Sequence, residues 1–284
     1  MIGSLQTGVS GLQQFQEDLE VIGNNIANVN TTGYKSSTMG FADTFSQSFG
    51  DTGGGASRQV GTGVASSSID SQFTQGSIND TGTKTNLAIS GQGFFVVKDP
   101  TSSVSYVTRD GTFKLDNNGY LITATGNRVQ GYTGTAPFSS GSTVSDLQIN
   151  AATAITSLGD TTTPAPTLTA YNIDASGQIN ATLSDGTSGV IGQVVLQNFS
   201  NPQALLKQGD NLFFSNANAG ALGAPVAPNT NGVGTIRSGA LESSNVDLAG
   251  QMAAMITAQR AFEANAKIVT TSDEVLQDLI NLKR

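Results

Sequence analysis

The chain has 284 residues, enough for one large domain or a few small ones with a real hydrophobic core. Its net charge is −8, and it contains no His, Cys or Trp. Disulfides are therefore excluded, the commonest zinc ligands and the usual base for a Ser or Cys nucleophile are missing, and duplex nucleic acid is disfavoured as a partner. An Asp/Glu site for calcium or for glycoside chemistry stays open. Only 12% of residues are charged, and the 34 glycines predict many tight turns, the balance of a β-rich secreted or assembly protein. No apolar run is long enough to span a bilayer, so membrane insertion is not expected. Met1-Ile2-Gly3-Ser4-Leu5-Gln6 lacks the basic and apolar regions of a Sec-type signal, so any route out of the cell is expected to leave the N-terminus uncleaved.

Ile2, Leu5, Val9, Leu12, Phe15, Leu19, Ile22, Ile26 and Val29 recur at steps of three or four. This spacing predicts an amphipathic helix with a coiled-coil-like seam, its phase shifted at Leu12 and Phe15 as by a stammer. Asn30-Thr31-Thr32-Gly33 predicts the stop. Asn24, Asn25, Asn28 and Asn30 are polar positions on this apolar helix. They read as a solvated face with a terminator, or as amides bonded between packed helices that fix register; the second reading is preferred.

From Gly50 to Val64 the composition is that of a linker. A β region follows, from about Ile69 to Arg237. Asn86–Ser90 and Gly93–Val97 predict strands about a Gly-Gln-Gly turn, with Gly91 and Gly93 as hairpin glycines. Val104–Thr108, Gly111–Leu115 and Tyr120–Thr123 predict a meander turning at Arg109-Asp110-Gly111 and Asp116-Asn117-Asn118-Gly119. A second set, Tyr171–Ile173, Gln178–Leu183 and Gly192–Gln197, is punctuated by Asp174–Gly177 and Ser184–Gly186. Residues 151–169, rich in Thr, Ala and Pro, predict a mobile loop. A phosphate loop at Gly91 would need a helix where strand residues follow, and the Asp116–Gly119 turn lacks the spacing and distal Glu of a calcium loop. Asp110 and Asp116 could pair for glycoside chemistry, but nothing nearby suggests a cleft.

Asn245 or Asp247 can cap a last helix carrying the heptad Leu248, Met252, Met255, Gln259, Phe262, Ala266, Val269, Asp273, Leu276, Ile280. Ile256, Ile268, Val275 and Leu279 widen its stripe, and Thr270-Thr271-Ser272 weakens the helix locally. The predicted class is α+β: N- and C-terminal helices (1–35 and 238–284) forming a coiled-coil-like inner domain, an extended linker (36–68), and a mainly antiparallel β domain (69–237).

Asn24-Asn25-Ile26-Ala27-Asn28-Val29-Asn30-Thr31-Thr32-Gly33-Tyr34-Lys35 closely resembles the N-terminal signature of the flagellar rod, hook and hook-associated proteins. Ser238 to Leu248, with Ser244, Asn245 and Val246, and Met255 to Asn265, with Gln259 and Arg260, resemble the C-terminal signature. Leu87 to Val97 and Thr108 to Phe113 resemble the hook and distal-rod β domain, so the likeness covers nearly the whole chain.

The resemblance implies terminal helices lining a tube, a β domain outside it, and subunits stacked helically around a channel. It implies a homopolymer that also meets other rod, hook-associated and hook-cap proteins, passes through the flagellar type III export apparatus, and works in the hook or basal body without a cofactor or catalysis. The expected subunit interface is Leu5, Val9, Leu12, Leu19, Ile22, Ile26 and Val29 with Leu248, Met252, Met255, Phe262, Val269, Leu276 and Ile280. Gly40 to Phe45 looks like the export motif of early flagellar substrates, with Phe41 and Phe45 as its aromatic pair. Wording at Phe41–Phe45, Ser238–Leu241 and Leu282-Lys283-Arg284 favours hook over distal rod; the shortness of the chain and the Gly50–Val64 element favour rod. Hook is the first expectation and distal rod the alternative, with a secreted hydrolase or a β-rich adhesin as rivals of other classes.

Overall fold

A computed structural model describes residues 2–52, 56–134, 138, 143–158, 166–221 and 223–282. The chain forms an α+β fold of two compact units: a helical one (Met1–Val29, Lys35–Gln72 and Val246–Arg284) and a β-rich one (Asn30–Tyr34 and Phe73–Asn245). The stretch Asn30–Tyr34 thus belongs with the strands, although sequence alone groups it with the helix before it.

In the helical unit, α1 (Ile2–Ala27) packs on α3 (Leu248–Leu282). A Cβ on Gly8 would lie 3.1 Å from Val269 Cγ2, one on Gly11 3.0 Å from the Asn265 side chain, and Asn25 bonds to Gln251. Low numbers facing high ones make the pair antiparallel, and the two glycines allow the axes to come close. Asp247 is the cap of α3: its Oδ1 accepts from the Ala249 N–H at 3.1 Å. The helix runs through Thr270 and Thr271, whose hydroxyls donate back to the Lys267 carbonyl instead of breaking the turn.

The expected linker is structured. Strand β1 (Ser37–Asp43) pairs antiparallel with β4 (Val64–Ser71), with a bulge at Gly40/Phe41, and β2 (Ser46–Thr52) pairs with β3 (Ala56–Gly61). Its Gly and Ser content reads as flexible, but the ladder satisfies the backbone. The Phe41 ring packs 5.6 Å from that of Phe15 on α1, giving the hairpin an apolar anchor.

The β-rich unit is built on β7 (Phe94–Lys98), where Phe94, Phe95, Val96 and Val97 are all buried. An unbroken apolar run is what a strand covered on both faces requires. Phe95 and Val97 enter a large core with Leu121, Val129, Leu147, Ile179 and Ile191; Phe94 and Val96 enter a second with Val107, Phe199 and Phe213. Further strands are β5 (Ile78–Asp80), β6 (Leu87–Ser90), β8 (Ser105–Thr108), β9 (Lys114–Leu115), β10 (Leu121–Ile122), β11 (Arg128–Thr133), β12 (Val144–Asp146), β13 (Leu168–Ile173), β14 (Gln178–Leu183), β15 (Ser188–Val194), β16 (Leu196–Gln197), β17 (Leu206–Gly209), β18 (Leu212–Phe214), β19 (Thr235–Ser238) and β20 (Ala240–Glu242). The main sheet runs β13-β14-β15-β11-β7-β8-β18-β17, all pairs antiparallel, while β19 pairs with β6 and β20 with β5.

Three sequence expectations are corrected here. Gly91 and Gly93 do not close a hairpin: β6 pairs with β19, and β7 with β8, β11 and β16. Both glycines have positive φ, and a Cβ on either would crowd Gly234 or Val233 within 3 Å, so they serve a switch between sheets. The meander is broken at Arg109-Asp110-Gly111, because β8 pairs with β7 and β18 rather than β9. Gly111 lies against the Leu87 carbonyl, with its own carbonyl accepting from the Leu87 N–H at 3.0 Å. Finally, the 151–169 stretch opens with a helix, α2 (Ala151–Leu158), capped by Asn150 Oδ1 on the Thr153 N–H at 2.7 Å and docked through buried Ala154; residues 159–165 lie outside the described residues.

Candidate functional site

Two features stand out, one in each unit. The first is the surface of the helix pair. Of the expected interface residues, Ile22 is buried, and Leu5, Leu12, Leu19, Ile26, Val29, Met255, Phe262, Val269 and Leu276 are half-buried. Val9, Leu248, Met252 and Ile280 are exposed, the last at 66%. Ile256, Ile268, Val275, Leu279 and Leu282 are exposed with them. Among the described residues of α3, only Ala258 is fully buried. One face of the stripe is therefore half covered by α1 while the other remains in water. A groove of about 620 Å³ beside it is lined by Gly3, Gln6, Thr7, Val60, Asn265 and Ile268 among others, and among the described residues none of the lining side chains is ionisable.

The amide cluster separates into two roles. Asn25 is buried; its Nδ2 donates to the Ser37 carbonyl at 2.7 Å and to Gln251 Oε1 at 3.1 Å, and its Oδ1 accepts from the Ser37 N–H at 2.9 Å. It pairs with Ser37 as a strand backbone would, tying α1, β1 and α3 together. Asn28 donates to the Asn24 carbonyl and Oδ1 one turn back on its own helix. Gln259 is exposed, as is Arg260, which pairs with Glu263 on its own helix. Phe41 is anchored on Phe15, whereas Phe45 is 94% exposed.

The second feature lies in the β-rich unit, where the rest of the N-terminal signature docks. The Thr31 carbonyl accepts from the Tyr34 N–H, and Thr32 donates to Asp110 Oδ1 at 3.1 Å. The Thr32 carbonyl accepts from Asn211 Nδ2 at 2.8 Å. Gly33, at φ +66°, donates its N–H to the Glu242 carbonyl at 2.8 Å. Lys207 sits 5.2 Å above the Tyr34 ring; burial lowers the Lys207 ammonium pKa and raises that of the Tyr34 phenol. From the C-terminal signature, Asn245 donates to Thr74 Oγ1 at 2.9 Å and Ser244 is half-buried; Val246, half-buried too, belongs to the helical unit.

In the same unit Arg109 and Glu242 form a buried ion pair at 3.4 Å, with the guanidinium 5.1 Å from the centroid of the Phe94 ring. Burial pulls the Arg109 pKa down, and the Glu242 charge works against that shift. Arg109, Glu242 and Asn211 were not singled out by sequence reasoning. The available signal was a buriable Arg and Glu amid Gly and apolar motifs in a chain with few charges. Asp110, weighed as a catalytic carboxylate, instead accepts from Thr32 and from the Thr112 N–H and hydroxyl; Asp116 closes the β9–β10 turn. No helix is long and apolar enough to cross a membrane among the described residues.

Bare apolar helix faces, in a chain whose β-rich unit is already well packed, define a structural subunit of the assembling kind. Comparison with known proteins places it. The family described as "Flagella basal body rod protein" matches residues 5–35, "Flagellar hook protein FlgE/F/G D1 domain" matches 88–181, and "Flagellar basal body rod FlgEFG protein C-terminal" matches 237–282. The flagellar basal-body rod protein FlgG of Bacillus subtilis (strain 168) is 38% identical with both chains fully covered, and that of Borreliella burgdorferi is 34% identical with the same coverage. The flagellar hook protein FlgE of B. burgdorferi is 27% identical in an alignment stretched over 444 residues. The chain belongs to the flagellar rod and hook protein family, and it is a structural subunit of the axial part of the flagellum.

Proposed function

We propose that this chain is a distal-rod subunit, the rigid drive-shaft member of the family, rather than the hook subunit that sequence wording favours. The observation that carries this reading is the end-to-end match to rod proteins FlgG at 34–38% identity over alignments of about the chain's own length, against 27% and a much longer alignment for the hook protein. The wording at Phe41–Phe45 and Ser238–Leu241 is a local likeness and weighs less than an alignment of the whole chain. Electron microscopy of a strain lacking the gene tests it: a truncated rod is expected, and a complete rod lacking only its hook would refute it.

In this reading the terminal helices are the inner, tube-lining domain and residues 73–245 the outer body. Assembly covers the face left open by α1 and α3, which carries the exposed Leu248, Met252 and Ile280 along its length. Burying that apolar surface supplies about 25 cal/mol per Å² per contact, and many weak contacts sum to a stable tube. The partners are further copies, the neighbouring rod and hook proteins, and the type III export apparatus, which would read Phe41 and Phe45 in the unfolded chain. The subunit performs no catalysis, a reading supported by the Asp110 carboxylate being taken up by Thr32 and Thr112. Purified protein that hydrolysed a polysaccharide, with the activity lost on D110N, would count against it.

A further inference from the structure

The chain passes between its two units at residues 29/30, 34/35, 72/73 and 245/246. Inside the β-rich unit, the segments next to all four passages converge on one residue. The Glu242 backbone carbonyl accepts from Gly33, its Oε1 accepts from the Gly76 N–H at 2.9 Å, and its Oε2 faces Arg109. One residue further, the Ser243 N–H donates to the Ser77 carbonyl at 2.8 Å, and Asn245 reaches Thr74. The partners are separated by 133 and 166 positions in sequence, so no local turn makes these links.

As a source of stability the ion pair is poor. Both side chains are withdrawn from water, the contact is 3.4 Å, and Arg109 Nε has no hydrogen-bond partner among the described residues. A buried pair of this kind repays little of its desolvation cost, and apolar side chains of similar volume would do as well. What an apolar pair could not do is accept the Gly76 N–H or aim the fork of Arg109 at the exit strand. The space for the incoming segment is as restrictive: a Cβ on Gly33 would lie 2.7 Å from the Asp110 nitrogen, and one on Gly76 would run into the Ser243 carbonyl oxygen.

We propose that Arg109 and Glu242 are positioning residues for assembly: they staple the chain's passages between its units to one turn of the β-rich unit, so that the passages move as one. This holds whether the subunit serves rod or hook, so its failure would leave the rod reading untouched. Asn211 also holds the incoming segment, through the Thr32 carbonyl.

The test uses the full-length chain carrying R109M/E242L, and separately N211A. For the double variant we expect a melting midpoint within about 3 °C of the parent, with exchange of the Gly33 and Gly76 amides at least ~tenfold faster while Val96 and Val97 keep their protection. Motility restored to a deletion strain should fall at least ~tenfold, because the cost lies in assembly geometry and not in folding. N211A should speed exchange at Gly33 and leave Gly76 unchanged. The proposal is overturned if Gly33 and Gly76 exchange as in the parent, if the passages loosen while motility is fully restored, or if both variants lose protection evenly across β7 and the passages. Should the double variant not fold, R109K, which keeps the charge and loses the fork, decides by the same three criteria.

Discussion

Replacing Gly33 with Ala probes the crossing directly. At φ +66° an L residue pays roughly 1 kcal/mol for its backbone conformation. The added Cβ would also stand 2.7, 2.8 and 2.9 Å from the Asp110 nitrogen and the Arg109 carbonyl carbon and oxygen. These are backbone atoms and cannot swing aside as a flexible side chain would. The segment must back away, which lengthens the Gly33–Glu242 and Asn211–Thr32 hydrogen bonds, each worth about 1 kcal/mol net. The sum is about 3 kcal/mol, or roughly 6–12 °C in melting midpoint for a unit of this size. Gly126 is the control: it has φ +88°, and a Cβ there would meet nothing within 4 Å, so G126A carries only the conformational cost of about 1 kcal/mol. Calorimetry of the monomer compares the two. Equal losses, or a loss under about 1 kcal/mol for G33A, would refute the steric account.

Leu121→Ala, at a fully buried core position, should cost about 2–5 kcal/mol in denaturant titration. Met252→Glu, on the open helix face, should change monomer stability by less than about 0.5 kcal/mol yet block polymerisation seen by electron microscopy. Asn25→Leu removes the amide's hydrogen bonds with the Ser37 N–H and carbonyl and should cost about 2–4 kcal/mol, with faster amide exchange at Ser37. Burial alone would raise the Asp146 carboxyl pKa, but hydrogen bonds from Arg128 (2.8 Å) and Gln130 (2.6 Å) and the Arg128 charge outweigh it and hold it below the ordinary range. A carboxyl pKa lowered by folding stabilises above its unfolded pKa of about 4 and loses that contribution as pH falls through the folded value. Asp146→Asn should therefore cost about 1 kcal/mol near neutral pH, and the gap to the parent should close below about pH 4; a gap independent of pH would contradict the assignment.

The family was legible in its signature motifs; the α+β class, the two terminal helices, Gly93–Val97 as a strand, and the turns at Asp116–Gly119, Asp174–Gly177 and Ser184–Gly186 were legible from local pattern before any folding. Each is written in a periodicity, a continuous apolar run or a local turn chemistry, signals that need no knowledge of distant residues. The paired strands within 36–68 were hidden because Gly- and Ser-rich segments look the same in sequence whether they are free or held in a ladder, and a ladder partner is a non-local fact. It took the folded chain to show that Gly91 and Gly93 join different sheets, that Thr31–Tyr34 belongs with the β-rich unit, that Asn25 serves as a strand partner, and that Arg109 meets Glu242. These are contacts between residues tens to hundreds of positions apart, formed because buried polar groups must find partners wherever the folded chain supplies them.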